Sequence, residues 1–253
     1  MNKEELMIQK RLIELSNIAY RRDIVTFSDF LNLNELNILH STPKNMFPAR
    51  YETYGGYDYA ERQMVAFLPD ALYYEYNYPV SVLKISPLHS KFAEELTHRD
   101  YLGAILNLGI ERCKIGDILL VNEKECYLFA TETIAPYIQE SLTRIRHTSI
   151  MVTTEEISTL EYSPKLEEIK GTVPSVRLDT VLSVAFPLSR SKLVGLIEGA
   201  KVFVNGKLIT TNSYHLKEGD IISIRGMGRI SYGGILSETK KGRYFISVYK
   251  YVG

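Results

Sequence analysis

The sequence predicts an α+β protein made of three modules in series. Three observations point there. Helical periodicity in the first forty or so residues gives way to alternation after Pro79. The elements that follow run β-α-β-β-α-β. Charge is unevenly shared: residues 1–169 hold 17 Lys and Arg against 25 Asp and Glu, a net −8, whereas residues 170–253 hold 13 against 5, a net +8. The formal net charge of zero therefore averages an acidic body and a basic end, which fits a module for an anionic ligand carried on a larger scaffold. At 253 residues with 45% hydrophobic content, the chain has material for two or three cores.

The elements read in order as follows. Leu6, Ile8, Leu12, Ile13, Leu15 and Ile18 form an apolar stripe that predicts a helix over 3–20. A second helix is expected over Asp29–Leu39, with Ser28 as its N-cap, and Pro43 and Pro48 mark a loop. Residues 51–78 carry eight tyrosines, a Gly55-Gly56 turn and a strand-like Gln63–Leu68, which completes an α/β N-terminal module over 1–78. The tyrosines read as core and module-interface residues rather than base-stacking ones, because they sit in the acidic part, where phosphate is repelled. The second module, 79–160, has strands near Val80–Ile85, Asp117–Asn122, Glu125–Ala130 and Ser149–Thr154. Helices Thr97–Leu108, stopped by Gly109, and Ile134–Ile145, with Pro136 in its first turn, separate them. This order is the ferredoxin-like plan shared with RNA-recognition motifs. The third strand, Glu125–Glu132, lacks the basic-Gly-aromatic opening of a base-stacking sheet, so a scaffold role is expected. Residues 155–174, polar and acidic with Pro164, Gly171 and Pro174, read as a linker to a third module over 175–253.

The basic end carries the chemistry. A short helix is expected over Arg177–Ala185 and another over Arg190–Glu198, N-capped by Ser189 and ended by Gly199. A helix N-terminus favours phosphate through its unpaired N–H groups and partial positive charge. Arg190 and Lys192 add full charges there, and Arg177 joins them if the two helices pack antiparallel. Taken singly, a cap and solvated cations account for these residues; together with the +8 balance they favour phosphate contact. Lys201–Asn205 alternates as a strand, and Asn205-Gly206 is a hairpin signal because both turn positions need positive φ. Lys207 returns, Glu218-Gly-Asp220 turns into Ile221–Arg225, and Arg229–Ile235 and Arg243–Val252 form a β extension. Lys207, Arg225, Arg229, Lys240, Lys241 and Arg243 could line one basic face.

These blocks, R-L-D from Arg177, S-R-S-K from Ser189, I-x-x-G-x-K-V-x-V-N-G and L-x-x-G-D-x-I-x-I-R-G, resemble the S4 (αL-type) RNA-binding domain over Arg177–Arg229. In that domain the helix pair and the turn before the strands contact structured RNA. The resemblance implies RNA contacts at Arg177, Ser189, Arg190, Lys192, Lys201, Asn205 and Lys207, to which the basic strands add Arg225 and Arg229. Elsewhere, G-G-Y-D-Y-A-E-R at Gly55–Arg62, T-H-R-D-Y-L-G-A-I-L-N-L-G-I at Thr97–Ile110, K-I-G-D-I at Lys114–Ile118 and T-K-K-G-R at Thr239–Arg243 resemble the YlmH family. That resemblance implies binding to rRNA of the large ribosomal subunit, with a stalled peptidyl-tRNA, in ribosome-associated quality control. It also implies a link to cell division. No cofactor is implied, and the acidic modules are left as a surface for a protein partner.

Several other readings are weaker. His98-Arg99-Asp100 lacks the Gly-rich loop and D-F-G of a kinase, and Thr97 with Asp100 reads as a capping box. Cys113 and Cys126, with His89 and His98, have no metal-ligand spacing. The N-terminus lacks a signal-peptide core and no run suits a membrane span, so the expectation is a reduced, cytoplasmic protein. Pseudouridine synthases carry an R-L-D motif whose Asp is the nucleophile, but here the R-L-D that holds Asp179 stands at the start of the S4 pattern. No catalytic-sized segment follows the S4 pattern, so Asp179 reads as orienting Arg177. The expectation is a non-enzymatic RNA-binding protein; the rivals are an RNA-modifying enzyme of pseudouridine-synthase type and a cell-division interaction protein.

Overall fold

The computed structural model describes residues 3–156 and 165–252 in two compact units, 1–162 and 163–253. Pro164, the expected end of the second module at 160 and part of the expected linker lie outside the described residues.

The first unit opens with α1 (Lys3–Arg22), whose Glu4 and Glu5 and whose Arg21 and Arg22 sit at the ends that the helix dipole favours. β1 (Thr26–Phe27), α2 (Leu33–Ser41), β2 (Arg50–Tyr54) and β3 (Met64–Leu68) follow, and the strands form a sheet in the order β1-β3-β2. Leu12, Leu15 and Ala19 of α1 pack with Leu36 and Leu39 of α2 on Val65 and Phe67 of β3. The second helix begins four residues later than the periodicity suggests. Ser28 caps nothing: its N–H and hydroxyl pair with Val65 of β3, and Leu31 bridges Gln63. Sheet pairing holds residues 26–31 extended, so the cap passes to Asn32. Its side chain accepts from Asn34 and Glu35 N–H, while Glu35 closes the capping box.

The ferredoxin-like order is present. β4 (Val80–Pro87), α3 (His98–Leu106), β5 (Ile115–Leu120), β6 (Cys126–Thr131), α4 (Ala135–Ser141), a short β7 (Arg144–Ile145) and β8 (Thr148–Glu155) assemble in the sheet order β5-β6-β4-β8-β7, antiparallel throughout. α4 stops short of Ile145 because Arg144–Ile145 turns back to pair with Ser149 and Thr148. Thr97 caps α3 with Asp100 in a capping box, the reading given to T-H-R-D. That hydrogen bonding lowers the Asp100 carboxyl below the usual range. Thr97→Ala is expected to lower the stability of this unit by about 1 kcal/mol, measured by denaturant titration; an unchanged midpoint would show that the cap contributes nothing.

Both faces of this second sheet are covered. Leu83, Ile85, Leu128 and Val152 meet α3 and α4 through Tyr101, Ile105 and Ile138. On the opposite face Val80, Val82, Leu119 and Phe129 are buried against Phe30, Tyr57, Ala60 and Met64 from the first seventy residues. The surface on which RNA-recognition motifs stack bases is core here.

The motif residues Gly55–Arg62 and Lys114–Ile118 form the clasp of this contact. Asp117 accepts from the Tyr57 hydroxyl (2.8 Å) and the N–H groups of Glu61 (2.7 Å) and Arg62 (3.1 Å). Arg62 donates to the carbonyls of Ile115, Phe30 and Arg112, and Lys114 pairs with Asp29 at 2.7 Å. Burial, with the neighbouring Arg62 charge, pushes Arg112 down to about 10. At Gly116 an added Cβ would stand 2.7 Å from Phe30 and 2.9 Å from Phe129, so only glycine allows this approach.

The second unit comprises β9 (Leu166–Val173), α5 (Leu178–Ala185), α6 (Arg190–Glu198), β10 (Val202–Val204), β11 (Lys207–Leu208), β12 (Ile221–Ile224), β13 (Gly228–Glu238) and β14 (Tyr244–Tyr251). Six strands form one antiparallel sheet, β11-β10-β12-β13-β14-β9. Val202, Val204, Ile222, Ile224, Ile230, Ile246 and Val248 point from it into a core with Leu178, Val181, Leu182, Leu193 and Ile197 of the two helices. The expected linker is in part structure. Residues 166–173 pair along β14 from Leu166↔Tyr251 to Val173↔Tyr244. As an edge strand β9 buries only Val173, so its sequence carries no hydrophobic alternation and reads like a linker.

Candidate nucleic-acid interface

A buried carboxylate organises the cations of the helix pair. Asp179, the second residue of α5, is 3% exposed. Arg177, at the N-cap position, donates to it through Nε (3.1 Å) and Nη2 (2.9 Å), the bidentate geometry that a planar guanidinium favours. Arg190, the first residue of α6, reaches the same carboxylate through Nη2 at 3.3 Å. One acid thereby draws guanidinium groups from two helices to one place. Arg190 keeps 74% of its side chain exposed and Arg177 keeps 33%, so donors that Asp179 does not engage are left for a ligand.

The start of α6 adds to this. Ser189 occupies the N-cap position but makes no side-chain cap; its hydroxyl lies 3.2 Å from that of Ser191. The first turn holds no acidic residue, and exposed Lys192 is its third residue. Arg177, Arg190 and Lys192 set against Asp179 are three cations to one carboxylate. An uncapped helix start with this surplus favours an anion by charge and by N–H supply.

The other expected residues divide into two groups. Lys201 and Lys207 are exposed at the ends of β10 and β11. The Lys201 carbonyl accepts from Arg225 N–H (3.0 Å), which ties the two cations together in the chain trace. The Arg225 guanidinium stands 5.4 Å over the Phe203 ring, and that of Arg229 stands 4.9 Å over Tyr251. Phe203, Ser223 and Arg229 are in register, and they alternate with residues of the helix-side core. Arg225 and Arg229 therefore occupy the sheet face turned away from Arg177, Asp179 and Arg190. The single basic face expected from Lys207 to Arg243 is divided by the sheet, and the Arg243 guanidinium donates to the Thr172 carbonyl at 3.2 Å.

Asn205 has an internal role. With φ of 48° it forms the hairpin with Gly206 at 76°, as the Asn-Gly pair predicts. Its amide donates to Asp220 (2.8 Å) and its amide oxygen accepts from Ile221 N–H (2.9 Å), stapling the hairpin to the turn before β12. Asn205→Ala is expected to cost about 1–2 kcal/mol of stability in this unit by denaturant titration. RNA affinity at low temperature should fall less than about twofold, because both ends of the Asn205 amide are engaged within the domain; a large affinity loss at unchanged stability would place Asn205 on the ligand instead.

Sequence reasoning had Asp179 orienting Arg177 but missed that it also holds Arg190. The signal was present as an acid between two arginines, one two residues before it and one eleven after; pairing them needed the helix packing.

Residues 176–222 match the S4 domain family, and residues 74–159 match the family described as "Putative RNA-binding domain in YlmH". The chain is 29% identical over 249 residues to "Ribosome-associated protein quality control protein P2" of Bacillus subtilis, covering 97% of this chain and 95% of that protein. It resembles the solved structure "Cell division protein ylmH from Streptococcus pneumoniae" with a TM-score of 0.50 at 21% identity, over 63% of this chain and 96% of that one, a likeness of fold. The chain therefore carries a YlmH-type domain and an S4 domain together, inside a likeness to the Bacillus protein that runs nearly end to end.

Proposed function

We propose that the protein binds structured rRNA of the large ribosomal subunit through its S4 domain, acts in the cytoplasm, and takes part in the rescue of stalled ribosomes with tRNA nearby. The observation that carries this reading is the Arg177–Asp179–Arg190 cluster beside the uncapped start of α6. Guanidinium groups fixed by a buried acid meet a phosphate with their geometry already set, so less side-chain entropy is lost on binding. Lys192, Lys201 and Lys207 extend the cationic surface, while Ser189 can offer a hydroxyl. The Bacillus relative's name places that protein in ribosome-associated quality control, which supports the ribosome as the setting.

The cell-division reading has only a resemblance of fold behind it. An RNA-modifying role through Asp179 is disfavoured by the carboxylate's burial and its two arginine partners. Crosslinking the protein to RNA in cells and sequencing the fragments tests the proposal. Enrichment of large-subunit rRNA is the expected result, and a random spread over cellular RNA would overturn it. Mass spectrometry of rRNA from a deletion strain separates the enzymatic rival, which requires a modified nucleotide to disappear.

A further inference from the structure

The first unit contains a cleft that the RNA reading does not use. It lies between the end of β2, the segment leading into β4, and the end of β8, and it encloses about 850 Å³. Tyr54, Tyr76 and Tyr78 form its aromatic wall and Glu132, Glu155 and Glu156 its acidic one; no lysine or arginine lines it among the described residues. The rings are packed on one another, with Tyr54 and Tyr78 centroids 5.4 Å apart and Tyr76 and Tyr78 centroids 6.0 Å apart. All three are half-buried, so each ring is fixed yet still offers surface to the cleft.

The charged residues of the lining are all acidic, while Arg50 acts on Tyr76 from outside it. The Tyr76 hydroxyl donates to Glu52 at 2.9 Å, which makes that ring a better partner for positive charge. Burial and nearby carboxylates keep the tyrosines protonated, so the rings are neutral faces rather than phenolates. The whole unit is acidic, with 16 Lys and Arg against 23 Asp and Glu over residues 1–162. Phosphate is repelled from such a surface and cations are drawn to it.

We propose that this tyrosine- and glutamate-walled cleft receives lysine or arginine side chains from a basic segment of a protein partner. Aromatic faces supply cation–π contact and the carboxylates supply charge pairing, while a volume of this size admits a stretch of chain rather than one ion. The inference is independent of RNA binding by the second unit.

The test uses the full chain and a fluorescent oligolysine peptide, with oligoglutamate as control and binding followed by anisotropy. Two variants are compared with the parent: the double change Glu132→Gln with Glu155→Gln, and Tyr76→Leu. Each is expected to weaken oligolysine binding by about fivefold or more, with circular dichroism and S4-dependent RNA binding unchanged. If Tyr76→Leu binds oligolysine like the parent, attraction to a generally acidic surface explains the binding and the cleft is not a site. If Tyr76→Leu weakens RNA binding instead, the rings stack on bases and the proposal fails. Loss of RNA binding on changing Arg190 alone bears only on the second unit, so the two readings fail separately.

Discussion

Arg190→Glu lowers affinity for a large-subunit rRNA fragment by about ten- to a hundredfold at moderate salt, the largest effect expected from any single surface change. The change removes a phosphate partner and places a carboxylate next to Asp179 at the start of α6. It also introduces repulsion toward the RNA. The slope of log affinity against log salt should become shallower by about 1–2, because fewer counterions are released. Arg190→Gln separates the effects: it keeps a donor for Asp179 and loses only the charge, so about a tenfold loss is expected. Arg190 is 74% exposed, so neither variant should unfold the domain. The control is Arg11→Glu, at an exposed position of α1, which should change affinity less than about twofold. Equal losses from Arg190→Glu and Arg11→Glu would mean that the RNA site is not on the second unit.

Asp117→Ala destabilises the first unit by about 3 kcal/mol, which corresponds to roughly a 10 °C fall in its melting temperature. Three donors converge on this carboxylate, from Tyr57, Glu61 and Arg62. Its removal takes this acceptor from all three and strips a counter-charge from half-buried Arg62 and Arg112. Asp117→Asn keeps an acceptor oxygen and should lose about half as much. RNA affinity measured well below the transition should be unchanged, since the S4 cluster lies in the other compact unit. A melting temperature unaffected by Asp117→Ala would show that the clasp is incidental. These motif residues, which carry much of the family resemblance, thus have a packing explanation that needs no ligand.

Legibility of the elements followed burial. Strands whose residues alternate between buried and open are visible, as Thr148–Glu155 is. β9 is an edge strand with one buried residue, so nothing in its sequence separates it from a linker. The Ser28 cap failed for another reason. Ser at a helix start is a local preference, and the long-range pairing of Ser28 with Val65 outweighed it.

The candidate site was legible as a set of residue types but not as an arrangement. Helical and strand periodicity predicted an α+β chain, charge asymmetry predicted a basic end suited to phosphate, and the resemblance of the R-L-D and S-R-S-K blocks to the S4 domain implied RNA as its ligand, because patterning, charge and short-range spacing are properties of the chain alone. Only the tertiary structure decided which cations share a surface. The helix-pair packing brings Arg190 to Asp179 across eleven positions, and strand alternation sends Arg225 and Arg229 to the far face of the sheet. Long-range packing and the side-chain period of a strand set these directions, and neither is written in the order of the charges.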